Sequence, residues 1–223
     1  FPITGFGPHP HVASIESGEG GSMSDFSSWG TTPGLTLKPE ITSPGEDIYS
    51  SVPGGGYKTY SGTSMAAPYM SGAAAILKEY VNESFQEADS TEKMEIINNI
   101  LMSTSTPVVE YDYGNGTVDY YSPRKQGAGL VKIYNAINSG AYLYVGDNQR
   151  PKAELGDSTT GEYEFTFTIK NYSHEVKSYL PELQLQTDSP NPEDPSYNYL
   201  TSYTFLDGTG DEDEANITIS WDY

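Results

Sequence analysis

The sequence has no cysteine, so neither a disulfide framework nor a thiolate metal site can form. Basic residues are also scarce: 11 lysines and arginines face 31 aspartates and glutamates, a formal charge of −20. Such a surface repels phosphate backbones, so we expect no nucleic-acid binding. No apolar run reaches the roughly 18–20 residues that a membrane-spanning helix needs. The acidic balance fits an exported or salt-exposed protein.

What the chain does contain is tyrosine, 19 residues of it, together with abundant Gly, Asn and Thr. This composition favours an extracellular, β-rich protein over a cytosolic helical one. The length of 223 residues allows one large domain or two smaller ones. The chain opens on Phe1-Pro2-Ile3 without a signal peptide, and we therefore interpret it as a fragment or a processed piece.

Three helices are predicted in the first two thirds of the chain. Residues 64–80 are apolar nearly all round, which is typical of a buried helix. Residues 90–104 carry apolar side chains at helical spacing, and Ser90 or Thr91 is the expected N-cap. A short third helix is expected over residues 127–137. Residues 35–41 and 47–52 are predicted to be short buried strands, separated by the turn signal Ser-Pro-Gly.

The pattern changes near residues 147–151. Residues 162–170 alternate polar and apolar side chains without a slip, which predicts a half-buried antiparallel strand. Residues 183–186 and 216–221 repeat the alternation. Strands spaced in this way suggest a β-sandwich, but they are fewer than the roughly seven that a complete one needs. We therefore predict an incomplete sandwich after the boundary.

The octet SGTSMAAP, residues 61–68, marks the corner between an extended run and the first helix. At the head of a helix, Ser64 Oγ would be placed to attack a carbonyl while the Ser64 N–H helps to bind the oxyanion. Gly62 allows close backbone approach, Thr63 stiffens the corner, and Met65 begins the turn of helix that enters the core. The alternative is that Ser64 is an ordinary N-cap hydroxyl.

Four motifs in this order give the corner its context. GTSMAAP followed by YMSGAAAIL resembles the serine motif of subtilisin-like serine proteases. Upstream, FSSWG and LKPEITSPGEDIYSSVPGGGYKTYSGTS resemble the segments that precede that serine, and QGAGLVKIYNAI resembles the closing turn and helix. The resemblance covers about residues 22–140. Within the family, the sequence is most similar to cell-envelope proteinases of the lactocepin type.

The resemblance implies an α/β fold in three parts. Residues 1–21 would be the exit of a protease-associated insert or a linker. Residues 22–148 would be the C-terminal portion of a subtilisin-like parallel-sheet catalytic domain. Residues 149–223 would be a partial fibronectin-like antiparallel β-sandwich. The location implied for such a protein is extracellular or associated with the cell wall.

The resemblance also implies a serine endopeptidase that works through an acyl-enzyme. The family's triad runs Asp, His, Ser along the chain, so Asp, His and the oxyanion asparagine would all lie upstream of residue 1. Ser64 would be the nucleophile, and the residues just before it would contact the leaving-group side of a polypeptide substrate. The missing N-terminal part of the catalytic domain would be a necessary partner. Without it, this chain is expected to be inactive.

The remaining candidate side chains are assigned no catalytic role. His9 and His11 stand in a proline-bracketed loop outside the family's histidine context, and His174 lies in a β-pattern, where a surface turn is expected. No metal site is predicted from the histidines, since His9 and His11 have no third ligand nearby. The acidic run 207–214 lacks the spacing of an EF-hand and is interpreted as a solvated turn. A structural calcium ion in the parent protein is the only cofactor left open.

Two other functions are compatible with parts of the sequence. An α/β-hydrolase would place Ser64 on a nucleophile elbow, but Ala66 stands where that motif has glycine, and His174 is the only later histidine. A non-catalytic surface or adhesion module could retain the protease fold as a relic. The intact serine motif argues against decay at Ser64. The presence or absence of Asp and His in the upstream part would decide between an active protease and such a relic.

Overall fold

A computed structural model gives the fold of the chain. The part of the chain that the structure describes comprises residues 21–112, 117–146, 150–154, 159, 162–173, 175–179, 182–190, 198–205, 208–210 and 214–222. Its side chains are described up to residue 179, except at 110–112, 117–119, 162, 163 and 178. His9, His11 and His174 all lie outside the described residues, as do residues 1–20 and, within the acidic run 207–214, residues 207 and 211–213.

Four helices occur in the described residues: α1 (Thr63–Ser84), α2 (Ser90–Ser103), α3 (Pro123–Gln126) and α4 (Ile133–Asn138). The predictions of helices over 64–80 and 90–104 are confirmed. The prediction over 127–137 is wrong in its first half. Gly127 has a φ of 63° and ends α3, and the chain then turns through Ala128 and makes a bridge at Leu130 before α4 begins.

The first helix is less buried than its composition predicts. Of its 22 residues, only Ala73, Leu77 and Val81 are buried within the described structure. Tyr69 and Ile76 are exposed by 44% and 48% of their surface. The described elements therefore bury one stripe of α1, and none of them packs on the opposite face.

The second helix forms the centre of the hydrophobic core. It packs against α1, α4 and a following strand. The buried cluster comprises Ala73, Leu77, Val81, Ile96, Ile97, Ile100, Leu101, Val131 and Ala136. The N-cap of α2 is Asp89, whose Oδ1 accepts from Thr91 N at 2.7 Å and Glu92 N at 2.9 Å. The predicted caps, Ser90 and Thr91, are wrong by one and two positions, because the carboxylate before them already binds those amides.

The strands form small antiparallel sheets. They are β1 (Ile48–Ser51), β2 (Tyr57–Tyr60), β3 (Val109–Asp112), β4 (Thr117–Tyr120), β5 (Ala141–Val145), β6 (Glu162–Asn171), β7 (Lys177–Tyr179), β8 (Glu182–Pro190), β9 (Asn198–Phe205), β10 (Gly208–Gly210) and β11 (Glu214–Asp222). The sheets are β1-β2, β3-β4, β5-β6-β11, β7-β10 and β8-β9. The three alternating segments predicted to be strands lie in β6, β8 and β11. In β6, Phe167 and Ile169 are buried while Glu164 and Thr166 are exposed, as the alternation predicts.

Two strand predictions near the serine corner need correction. Residues 35–41 form no strand, since Pro39 offers no N–H and charged side chains flank it. The next residue, Thr42, makes one parallel bridge with Leu130, and the described residues contain no parallel sheet. Residues 47–52 do contain strand β1, but it is not buried: β2 is its only partner among the described strands, and Tyr49 is 66% exposed.

The three-stranded sheet joins the two sides of the predicted boundary. Strand β5 precedes residues 147–151 and pairs along its full length with β6, which follows them. The same strand packs against α2. The C-terminal β-region is therefore continuous with the helical core through β5.

Candidate active site

Ser64 lies in the first turn of α1, and it is not the N-cap. The N-cap is Gly62, and no side chain makes a capping hydrogen bond there. The alternative interpretation of Ser64 as an ordinary capping hydroxyl is therefore wrong. The Ser64 side chain is exposed, and its Oγ has no hydrogen-bond partner among the described residues. A free, exposed hydroxyl at a helix head needs an explanation other than capping.

Gly62 makes the sharp entry into the helix possible. Its φ of 149° and ψ of 162° lie in a region that only glycine occupies without strain. Its N–H donates to Gly45 O at 2.8 Å, and its carbonyl accepts from Met65 N at 2.9 Å. A Cβ at Gly62 would meet no atom nearer than 3.8 Å, so the backbone conformation is what favours glycine here, and the role of Gly62 in close backbone approach stays a prediction.

The head of α1 presents free backbone donors. The amides of Thr63 and Ser64 donate to no acceptor within the described structure, and no acidic side chain lies in the first turn. The positive end of the helix dipole is therefore not neutralised by an acidic residue of the first turn itself. Such an arrangement suits an anion or a developing oxyanion next to the Ser64 hydroxyl.

A neighbouring segment, residues 43–47, holds the corner in place. Ser43 Oγ donates to Ala66 O at 2.8 Å, and Asp47 N donates to Ser61 Oγ at 2.9 Å. Together with the bond from Gly62 to Gly45, these contacts fix both sides of the octet. Nothing local in the sequence signals this role, because Ser-Pro-Gly by itself indicates only a turn.

Three of the motifs from the sequence meet through the segment 124–131. Arg124 Nε donates to Gly30 O at 3.1 Å, and Gly30 N donates to Arg124 O at 2.8 Å. The ammonium of Lys125, which is almost buried, lies 5.2 Å from the Trp29 ring. At the other end of the segment, Val131 N donates to Thr42 O at 2.9 Å. The FSSWG and QGAGL motifs therefore pack around the segment that holds the serine corner.

A cavity of about 370 Å³ opens beside the corner. Thr63 and Ala66 line it from α1, and Gly45 and Asp47 line it from the neighbouring segment. Ser64 does not line this cavity. Met65, the next residue in the chain, does not line it either and is half-buried. Of the four predicted site residues, Thr63 alone faces the cavity, whereas the Ser64 side chain is exposed.

Exposed tyrosines stand on the hairpin that leads into the corner. Tyr49 on β1 and Tyr57 on β2 stack with ring centroids 5.4 Å apart, and both are about two thirds exposed. Tyr60, at the end of β2, is also exposed and is four residues from Ser64. The approach to the candidate nucleophile is therefore an aromatic surface.

No metal site is found in the part of the chain that the structure describes: three or more His, Asp or Glu side chains nowhere converge there. In the acidic run 207–214, residues 207 and 211–213 lie outside this part, so its interpretation as a solvated turn stays a prediction, as does a structural calcium ion in the parent protein. Among the described helices, none combines the length and the apolar character needed to cross a bilayer.

Comparison with known proteins places these features in a family. A family model described as "Subtilase family" matches residues 11–129, more than half of the chain. The PII-type proteinase of Lactococcus lactis subsp. cremoris is 32% identical over 88% of this chain and 11% of its own length. The C5a peptidase of Streptococcus pyogenes is 33% identical over 82% of this chain and 15% of its own length. Among solved structures, the patellamide maturation protease PatA is similar at 29% identity, over 44% of this chain and 32% of that one, with a TM-score of 0.33.

The chain thus spans about a tenth of the length of the lactococcal proteinases it matches. The matched region of the family model includes the FSSWG segment, the segment that holds the corner, and the octet with Ser64. The resemblance noted from these motifs is confirmed, and the chain belongs to the subtilase family.

Proposed function

We propose that this chain supplies the nucleophile of a subtilisin-like serine endopeptidase, and that the nucleophile is Ser64. The observation that carries the proposal is the serine corner itself. An exposed hydroxyl with no partner in the described structure lies on a helix head whose first amides are also free. Membership of the subtilase family supports a serine peptidase function in general. The relatives' names, proteinase and C5a peptidase, point to polypeptide substrates.

The chemistry follows from what the corner provides. Ser64 Oγ bonds to the scissile carbonyl carbon as a histidine base takes the hydroxyl proton. The carbonyl oxygen becomes an oxyanion, which the Ser64 N–H and the positive end of α1 stabilise. Collapse of this intermediate expels the amine, which takes the proton from the histidine and leaves an acyl group on Ser64. Water then releases the acyl group by the reverse of these steps.

The base and the acid that orients it are proposed to lie upstream of residue 1. The family's triad order is Asp, His, Ser, and Ser64 comes early in this chain. The relatives are also several times longer than the chain. A protein that contains the upstream part is therefore the expected active form, and the chain alone is expected to be inactive.

The wider assignments are part of the same proposal. Residues 22–148 would complete a parallel-sheet catalytic domain together with the upstream part, after an insert exit at 1–21. Residues 149–223 would begin a fibronectin-like β-sandwich. The tyrosines of the β1-β2 hairpin would contact the leaving-group side of the substrate. An extracellular or cell-wall location fits both the family and the acidic, cysteine-free composition.

Labelling with a fluorophosphonate, detected as added intact mass and mapped to a residue, tests the proposal. We expect Ser64 to be labelled in the full-length protein and not in the 223-residue chain alone. Ser71→Ala is the matched control, since Ser71 lies exposed on the same helix, bonded to Ala67 O at 3.1 Å. Absence of labelling in the full-length protein would favour the non-catalytic surface or adhesion module. Labelling of the chain alone would contradict the upstream base.

A further inference from the structure

A cluster of positive side chains lies away from the serine corner, around one carboxylate. The chain has only 11 basic residues, yet three of them converge on Glu40. Glu40 Oε1 lies 2.8 Å from Lys38 Nζ, 3.6 Å from Lys152 Nζ and 4.0 Å from Arg150 Nη1. Two of these three cations come from the segment beyond the predicted boundary.

Lys152 is the best-enclosed member of the cluster. Its side chain is only 11% exposed. Besides Glu40, it reaches Glu154 Oε1 at 3.1 Å and donates to Leu37 O at 3.2 Å. Exposed ion pairs contribute little, but a lysine that is mostly shielded from water and has three oxygen partners resists displacement. Lys152 therefore attaches the segment 150–154 to the segment 37–40.

The electrostatics of Glu40 agree with this geometry. Partial burial raises the pKa of its carboxyl, but the hydrogen bond from Lys38 and the charges of Lys38, Lys152 and Arg150 outweigh that effect. The pKa consequently lies below its ordinary value, so Glu40 keeps its negative charge in mildly acidic solution.

The same segment continues directly into the contacts that hold Ser64. Glu40 O accepts from Ala128 N at 3.0 Å, and Thr42 N donates to Gly129 O at 2.9 Å. The next residue, Ser43, donates to Ala66 O on the first turns of α1. Only two residues separate Glu40 from Ser43, which makes this bond. A shift of the backbone at Glu40 is therefore transmitted to the helix head within one short extended stretch.

On the other side, the cluster is attached to the β-region. Arg150 O accepts from Val145 N at 2.7 Å, which ties residue 150 to the end of β5. Strand β5 in turn pairs with β6. A continuous chain of contacts thus runs from the three-stranded sheet through Arg150 and Lys152 to Glu40, and from Glu40 to the serine corner.

We propose that Lys152, assisted by Arg150, is a positioning residue for Ser64, and that it acts by fixing Glu40 and the segment 37–47. The C-terminal β-region would then contribute to the reaction without touching the substrate. This inference rests on the proposed function, because it requires Ser64 to be the nucleophile. It assigns a task in catalysis to residues outside the part matched by the family model.

The test compares Lys152→Met with Lys132→Met in the full-length protein. Methionine removes the charge and retains the length of the side chain, and Lys132 is an exposed lysine with no ion pair in the described structure. We measure the second-order rate of fluorophosphonate labelling, together with kcat and KM on a peptide, well below the unfolding midpoint. Misplacement of reacting groups by about 1 Å costs on the order of 100-fold in rate. We expect Lys152→Met to label Ser64 at least about 10-fold more slowly, with the loss in kcat rather than KM, and Lys132→Met to label normally.

Two further variants separate positioning from simple stability. Lys152→Arg should restore most of the labelling rate, because it keeps a cation near Glu40. Glu40→Gln should slow labelling, and adding Lys152→Met to it should cost little more, since both act through one contact. A lowered unfolding midpoint with unchanged labelling in Lys152→Met would overturn the inference and leave a structural ion pair. Unlabelled wild-type protein would instead reject the proposed function, and this inference with it.

Discussion

The two long helices of this chain are adjacent and packed together, yet they are built in opposite ways. Helix α2 has 14 residues and buries five of them, including Ile97 and Ile100, and Asp89 caps its start. Helix α1 has 22 residues, buries three, and begins at Gly62 without a side-chain cap. The longer helix is thus the less buried and the less well capped.

The capped start of α2 favours folding, whereas the uncapped start of α1 favours reaction at Ser64. A cap satisfies the first amides of a helix and neutralises its positive end, which favours folding. At α1 the same amides are left available beside Ser64, where a capping carboxylate would compete with an oxyanion. The cost of the open end is offset further along α1, where Leu77 and Val81 pack against α2. One helix therefore anchors the pair, and the other presents its head to the solvent.

The largest effect is expected at the head of α1. Ser64→Ala in the full-length protein should lower kcat by about 10⁶-fold, the loss that removal of the nucleophile causes in subtilisin, itself a member of the family. The unfolding midpoint should stay near that of the wild type, since the hydroxyl is exposed and has no partner in the described structure. Peptide hydrolysis measures the change in kcat, and thermal unfolding measures the midpoint. A variant that keeps its activity would remove Ser64 from the mechanism.

The next effect is expected in the core of α2. Ile100→Ala should reduce the free energy of unfolding by about 2–5 kcal/mol, because Ile100 is fully buried and its truncation leaves a cavity. The matched change on α1 is Ile76→Ala, at a position that is 48% exposed, and it should stay within about 0.5 kcal/mol. Denaturant unfolding of the 223-residue chain measures both. A costly Ile76→Ala would mean that the outer face of α1 is covered.

A smaller effect is expected at Gly62. Its φ of 149° and ψ of 162° would strain any other residue, so Gly62→Ala should cost about 1–3 kcal/mol in unfolding free energy. It should also slow the labelling of Ser64 in the full-length protein, because relief of the strain moves the corner. Gly72→Ala is the control, since Gly72 lies inside α1 and a Cβ there meets open space within the described structure. Faster labelling in Gly62→Ala would contradict the proposed role of the tight turn.

The helices and the alternating strands could be predicted from the sequence because their signals are local. The period of α2 and the alternation of β6 both appear within about ten residues. The octet around Ser64 was recognisable for the same reason, as its residue types are unusual together. Local composition was misleading at residues 35–41. Apolar side chains there suggested a buried strand, whereas the structure has only a single bridge, at the next residue Thr42.

What could not be predicted depends on residues far apart in the chain. Nothing near Lys152 signals that its partner is Glu40, 112 positions earlier, and a lysine in a polar stretch normally indicates a solvated surface. The part of the molecule that covers the outer face of α1 is equally hidden, since an apolar helix indicates burial without saying what covers it. The N-cap of α2 was missed by one position, because Asp89, Ser90 and Thr91 are all competent caps.

The smallest effect is expected at that cap, and it depends on pH. Hydrogen bonds from Glu92 N and Thr91 N lower the pKa of Asp89 in the folded chain. A group with a lowered folded pKa stabilises fully above its unfolded pKa, about 3.9 for aspartate, and loses that contribution as the pH falls through the folded value. Asp89→Ala should therefore lower the unfolding midpoint at pH 7, and the difference from wild type should shrink below about pH 4. Asn can still cap a helix, so Asp89→Asn should lower the unfolding midpoint less at pH 7, and its deficit should depend less on pH. An equal deficit for Asp89→Ala at pH 7 and pH 3 would show that the carboxylate does not act as the cap, and the contrast between the two helices would then rest on burial alone.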